Sequence, residues 1–205
     1  QMIDAMDALD RERRTTMASL SHELRTPLAV LCARLHAICD EVIPASPEEM
    51  HTLLDKSLHL SRLVEDMHTF SLASTGRLSL NYQWLDLAAL VADEVHGFDA
   101  RLRAQAFEVE LNFPAGQAEC PVLADPVRMR QVVANLVENV LRHAANGRWI
   151  GVSVAASAGQ VTFSVADAGS PLSVPMLKRA FEVMPQREDG GRQSSGLGLL
   201  IVQAL

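Results

Sequence analysis

The chain has 205 residues, 48% of them hydrophobic and 21% charged, which is ordinary for a globular protein and allows one large domain or two small ones. Its net charge is -7 and its lysines and arginines are scattered, which argues against a nucleic-acid-binding surface. Its three cysteines lack the paired spacing of zinc sites or disulfide frameworks, and no run of about 18 apolar residues predicts a membrane span.

The first predicted helix carries a histidine beside a carboxylate and a hydroxyl. Its apolar residues recur with the period of an amphipathic helix at Met17, Leu20, Leu24, Leu28, Leu31, Leu35 and Ile38. His22 lies about 200° of helix rotation from the apolar positions two residues on either side, so it should point away from that face. Glu23 can orient or deprotonate the ring, and Thr26 can position a water near the same nitrogen. Pro27 should kink or loosen the helix beside the histidine.

A second helix is predicted from Ser46, which is followed by Pro47 and two glutamates, a pattern typical of a helix start. Its apolar stripe consists of Met50, Leu53, Leu54, Leu60, Leu63, Val64, Met67 and Phe70. This stripe can pair with the first helix as an antiparallel hairpin. Because two helices form only a thin core, two hairpins should join in a four-helix bundle, which predicts a homodimer.

The second helix should end at Ser74, and the domain boundary is placed near residues 74–82. Beyond it the pattern is mixed and predicts an α/β sandwich, with a sheet covered on one face by helices. The predicted helices are residues 87–103 and 125–144, the second begun by an aspartate cap and a proline. The predicted strands are residues 107–112, 149–156 and 161–166, the last two joined as a hairpin through residues 157–160.

The long helix of residues 125–144 has a polar face. Asn135, Asn139 and either Arg142 or His143 fall at helical spacing on it. An amide oxygen is a suitable ligand for Mg²⁺, and a cation one turn later can meet phosphate oxygens. The alternative is an ordinary polar face turned to solvent.

Ser21–Leu28 resembles the phosphoacceptor box of sensor histidine kinases, and the family's other boxes follow in the expected order. Residues 125–143 resemble its asparagine box, and residues 167–169 (Asp-Ala-Gly) resemble the start of its first glycine box. Residues 181–182 (Phe-Glu) are similar to its phenylalanine box, and residues 196–199 (Gly-Leu-Gly-Leu) to its second glycine box. Within the family, the chain looks most like bacterial envelope-stress sensor kinases.

The resemblance implies a dimerisation and histidine-phosphotransfer hairpin at residues 1–75. It also implies an ATP-binding domain at residues 83–205, of the type shared by histidine kinases, gyrases and chaperones. The whole is an α+β architecture. The nucleotide contacts that it implies are Asn135, Asn139, Arg142, His143, Asp167, Gly169, Gly196, Leu197 and Gly198.

Three of these contacts carry specific implied roles: Asn139 as the Mg²⁺ ligand, Arg142 as a phosphate contact and Asp167 as the acceptor for the adenine amino group. Related ATPases that split water carry a carboxylate where Asn135 stands. An amide cannot serve as a general base, which favours transfer to an acceptor over hydrolysis.

The sequence departs from the family pattern in two places. Ser170 and Pro171 follow Gly169 where a further glycine is usual, and Met184 replaces a second aromatic residue. Residues 185–195 are polar and rich in glycine, as a lid over a nucleotide would be. The chain starts without methionine and stops at Leu205 inside a predicted helix, so we expect it to be a piece of a longer protein.

The predicted function is that of a two-component sensor kinase core, an ATP:protein-histidine phosphotransferase. ATP would phosphorylate His22 with help from Glu23, and the phosphoryl group would pass to an aspartate of a response regulator. Thr26 would support the reverse, phosphatase, reaction. The resemblance further implies a cytoplasmic portion of a bacterial inner-membrane protein. The alternatives are a dimeric scaffold or phosphatase without kinase activity, and a hydrolytic or chaperone-like ATPase.

Overall fold

The computed structural model describes residues 24–113, 119–171 and 197–205. Their two compact units are a helical hairpin of residues 24–76 and a mixed unit of residues 77–113, 119–171 and 198–205. Every helix in the described ranges is too short or too polar to cross a membrane.

The hairpin consists of α1, described over residues 24–39, and α2, Pro47–Ser74. The predicted start and end of α2 are confirmed. The hydroxyl oxygen of Ser46 accepts a hydrogen bond from the Glu49 amide at 3.2 Å, which satisfies one of the free amides at the helix start. At the other end the chain leaves the helix at Gly76, whose φ of 64° is easily adopted only by glycine. The predicted loosening of α1 at residues 22–23 lies outside the described residues.

An ion pair joins the two helices of the hairpin. Arg34 Nη1 lies 2.6 Å and 2.8 Å from the two carboxylate oxygens of Glu49. Leu53 and Leu63 of α2 are buried within the hairpin. Much of the remaining apolar stripe is exposed in the single chain, including Leu54 and Val64. One hairpin therefore buries only part of its apolar surface.

The predicted single helix of residues 87–103 is wrong. The structure has two helices there, α3 Leu87–His96 and α4 Asp99–Ala104. Glycine is a poor helix former, and the chain breaks at Gly97. Phe98 and Leu102, on the far side of this break, both lie in the core, with exposed fractions of 9% and 0%.

Two short strands were missed by the sequence prediction: β1, Gln83–Asp86, and β3, Pro121–Ala124, which pair antiparallel as a separate two-stranded sheet. The main sheet has the order β2-β4-β5, with β2 parallel to β4 and β4 antiparallel to β5. Its strands are β2 Glu108–Asn112, β4 Trp149–Ser157 and β5 Gln160–Asp167. The predicted hairpin is confirmed, and Ala158 and Gly159 turn it with φ of 50° and 79°.

In the second unit, α3, α4 and α5 share one hydrophobic core with the main sheet. Alternate residues of β4 are buried in it, and α5, Pro126–His143, supplies a row of buried apolar side chains. These residues are Ile150, Val152 and Val154 from β4 and Val133, Val137, Val140 and Leu141 from α5. The predicted fold of a helical hairpin followed by an α/β sandwich is confirmed. The last described helix, α6, is Leu197–Ala204.

Candidate nucleotide site and phosphoacceptor helix

The start of α5 is fixed by one carboxylate. Asp125 Oδ1 accepts hydrogen bonds from the amides of Val127 at 2.9 Å and Arg128 at 3.2 Å. Its Oδ2 accepts a third from the amide of Asn81 at 2.8 Å. The Asn81 bond is the main reason that the pKa of Asp125 lies below its usual value, although burial opposes it. Asp125 thus fixes both the helix and the segment that leads into β1.

Asn135 and Asn139 lie four residues apart on α5 and are half-buried. They do not belong to the row of fully buried apolar side chains that faces the core. The side-chain nitrogen of Asn135, Nδ2, is buried and has no hydrogen-bond partner among the described residues. A methyl group on Gly198 would come within 3.5 Å of Asn135 Cγ, so the first turn of α6 passes close to this amide. An unpaired buried donor costs about 1–3 kcal/mol, so Asn135 is suited to a hydrogen bond with a ligand.

Arg142, in the last turn of α5, is held by a carboxylate one turn earlier. Its Nη2 lies 3.3 Å from Glu138 Oε2, and Glu138 Oε1 lies 3.2 Å from Arg101 Nη1 on α4. Because guanidinium carries five N–H donors, an arginine held on one edge can still donate to a phosphate.

His143 is the last residue of α5, and its imidazole ring is partly buried. Partial removal of solvent lowers its pKa, the neighbouring Arg142 lowers it further, and Asp167 opposes both effects. The ring therefore favours its neutral form near pH 7, so Arg142 is the better of the two candidates for a phosphate contact.

Asp167 ends β5, where it pairs with Ile150 of β4. The Gly169 amide donates a hydrogen bond to Asp167 Oδ1 at 2.7 Å. A methyl group on Gly169 would lie only 2.7 Å from that oxygen, so a larger residue would disturb the bond. With Oδ1 satisfied in this way, Oδ2 can accept from a ligand. Ser170 and Pro171, the departures from the family pattern, follow in an exposed stretch.

Several predicted site residues lie outside the described residues. They are His22, Glu23, residues 181–182, residues 185–195 and Gly196. Thr26 is described, half-buried on α1, and Leu197 begins α6. Of the predicted nucleotide contacts, Asn135 thus lies close to Gly198, and Asp167 is hydrogen-bonded to the Gly169 amide. The sequence prediction missed the tight turn that follows α5, although the small residues around Gly147 were a signal for it.

Two family models match the chain in the order that its motifs predict. Residues 12–76 match the His Kinase A (phospho-acceptor) domain, and residues 124–205 match the histidine kinase-, DNA gyrase B-, and HSP90-like ATPase. The solved structure of Acinetobacter baumannii histidine kinase AdeS is 30% identical, with a TM-score of 0.72 over 89% of this chain and 84% of that one. The chain belongs to the histidine kinase family.

Two further histidine kinases extend the comparison. The chain is 32% identical over 205 residues to the signal transduction histidine-protein kinase BaeS of Escherichia coli K12, covering 98% of this chain and 43% of BaeS. The structure of full-length ShkA in complex with AMPPNP is 26% identical, with a TM-score of 0.61 over 91% of this chain and 39% of ShkA. The chain therefore spans less than half the length of BaeS and of ShkA.

Proposed function

We propose that this chain is the core of a two-component sensor kinase. It is phosphorylated on His22 by ATP and passes the phosphoryl group to an aspartate of a response regulator. The order of its domains carries the proposal, because a phospho-acceptor domain that contains the His22 motif precedes an ATPase-type domain. We assign dimerisation and phosphotransfer to residues 1–75, and ATP binding to residues 83–205.

The described residues fit a bound nucleotide. The unpaired amide nitrogen of Asn135 supplies a donor, and Asp167 keeps one carboxylate oxygen for the adenine amino group. Asn139 would ligate Mg²⁺ and Arg142 would contact a phosphate, with His143 as a neutral neighbour. The remaining backbone contacts would come from Gly169, Gly196, Leu197 and Gly198. When bound, Mg-ATP supplies the transferable γ-phosphoryl group.

The chain's own groups provide the acceptor chemistry. The unprotonated imidazole nitrogen of His22 would be the nucleophile, so that an N–P bond forms as the P–O bond to the leaving ADP breaks. Glu23 would orient the ring and accept the proton from its other nitrogen. Asn135 cannot serve as a general base, so water near it is not activated. This favours transfer to His22 over steady hydrolysis.

The hairpin supports a dimeric assembly. Apolar residues of both helices remain exposed in the single chain, and a second hairpin would cover them as a four-helix bundle. We place this core on the cytoplasmic side of a bacterial inner-membrane protein, where a response regulator is its second partner.

The test is transfer of radiolabelled γ-phosphate from Mg-ATP to the full chain. Wild-type protein should acquire acid-labile, base-stable label, and His22→Gln should acquire none. His36→Gln is the matched control, because His36 is an exposed histidine of α1 outside the predicted phosphoacceptor motif, and its replacement should leave labelling intact. Asn139→Ala should abolish labelling and leave dimerisation intact. Steady phosphate release without a phosphoprotein would instead establish a hydrolytic ATPase.

The phosphatase reaction is tested separately at Thr26, which follows His22 by four residues in the sequence. Its hydroxyl would position the attacking water, so Thr26→Ala should slow dephosphorylation of the regulator while leaving His22 labelling unchanged. Thr26→Ser keeps the hydroxyl and should retain phosphatase activity. Equal loss of both activities in Thr26→Ala would contradict this role.

A further inference from the structure

The turn after α5 lies directly against the loop after β5. A methyl group on Gly147 would overlap the carbonyl group of Ala168 and lie 2.7 Å from its Cβ. The backbone of the turn therefore touches the backbone of the loop, and only glycine fits at position 147 without a shift. Ala168 stands between Asp167, which we assign to the adenine amino group, and Gly169, which we assign to a backbone contact, so any shift would fall on both residues.

A second contact from the same turn supports the same loop. A methyl group on Gly169 would lie 3.1 Å from Ala144 Cα and 3.3 Å from Ala144 Cβ, so Gly169 also passes close to the end of α5. Ala144 is fully buried, and the amides of Gly147 and Arg148 both donate to its carbonyl oxygen. The turn, closed by these two hydrogen bonds, is thus the surface against which Ala168 and Gly169 pack.

The loop in turn fixes the carboxylate. The Gly169 amide donates to Asp167 Oδ1 at 2.7 Å, and the Ala168 amide donates to the Trp149 carbonyl at 3.4 Å. Displacing Ala168 would move Gly169 and rotate the carboxylate that its amide holds. The position of Asp167 Oδ2 therefore depends on the absence of a side chain at position 147.

We propose that Gly147 is a positioning residue for adenine recognition, acting through Ala168 on the carboxylate of Asp167. The inference rests on the proposed function, in which that carboxylate accepts a hydrogen bond from the adenine amino group. Guanine carries an oxygen at the same ring position and cannot donate there. A correctly placed carboxylate selects ATP over GTP, and a displaced one loses that selectivity.

The test measures binding of ATP and of GTP to the full chain by calorimetry. Gly147→Ala should weaken ATP binding about tenfold and reduce the preference for ATP over GTP by a similar factor. Gly159→Ala is the matched control, because Gly159 has a φ of 79° and no atoms near its missing side chain, so it loses stability without touching the loop. It should keep both the affinity and the preference.

A second variant covers the case in which Gly147→Ala does not fold. Ala144→Gly removes the side chain on which Gly169 rests and should reduce the ATP preference in the same direction. Asp167→Asn should also reduce it. An unchanged preference in folded Gly147→Ala, in Ala144→Gly or in Asp167→Asn would overturn the inference. Failure of the wild-type chain to bind ATP would overturn the proposed function itself.

Discussion

At the scale of single residues, Asp125 joins two parts of the second unit. Its two carboxylate oxygens accept three backbone hydrogen bonds, two from the start of α5 and one from Asn81. An asparagine could still cap the helix with its one oxygen, but its NH₂ group could not accept from Asn81. Asp125→Asn should therefore lower the free energy of unfolding by about 1–2 kcal/mol at pH 7.

The stability that Asp125 contributes should depend on pH. The pKa of Asp125 is lowered in the folded chain, so its stabilising effect is fully present above the unfolded value of about 3.9. It is lost as the pH falls through the folded value, so urea unfolding should show a shrinking difference between wild type and Asp125→Asn below pH about 4. Asp99→Asn removes only an exposed ion pair and should cost less than about 0.5 kcal/mol. A difference that persists undiminished in acid would contradict this account.

The site residues differ in how far the sequence could predict them. Asn135 and Asn139 were predictable as a polar face because helical spacing alone puts them on one side of α5. That the side-chain nitrogen of Asn135 is buried without a partner was not predictable, since its burial depends on how closely α6 approaches α5. Gly147 was missed because its role depends on a contact with Ala168, which is distant along the chain.

At the scale of elements, local chemistry predicted the helix ends well. Ser46 and Asp125 were both predicted as helix starts, and both cap their helices with side-chain oxygens. The strands β1 and β3 have four residues each and alternate too briefly to stand out, so only their pairing defines them. The break at Gly97 was not predicted, because the apolar pattern continues across it and both Phe98 and Leu102 lie in the same core.

The cap of α2 leads to a stability prediction. Ser46→Ala removes the oxygen that accepts from the Glu49 amide and should destabilise the helix by about 1 kcal/mol. Ser57→Ala is the same replacement at an exposed position within α2, where alanine is the better helix former, so it should stabilise slightly. Urea unfolding of the full chain, followed by circular dichroism, measures both. Equal effects of the two substitutions would show that Ser46 does not act as a cap.

At the scale of the whole molecule, the apolar stripe of α2 divides into residues that are buried in the hairpin and residues that stay exposed in the single chain. Leu53 and Leu63 pack within the hairpin, whereas Leu54 and Val64 stay 53% and 55% exposed in the single chain. Periodicity predicted the stripe but could not divide it in this way, because neighbouring positions of one helix face different partners. The exposed part is the surface that a second hairpin would cover.

This surface predicts the effect of a charge on assembly. In a twofold dimer Leu54→Glu appears twice and buries two unpaired carboxylates, so the dissociation constant should rise by more than about a hundredfold. Val127→Glu is the matched control, since Val127 is 66% exposed at the start of α5 in the other unit and should leave assembly unchanged. Sedimentation equilibrium should find Leu54→Glu monomeric at concentrations where wild type and Val127→Glu are dimeric. A dimeric Leu54→Glu protein would place the interface elsewhere, because a half-exposed leucine outside the interface tolerates a charge.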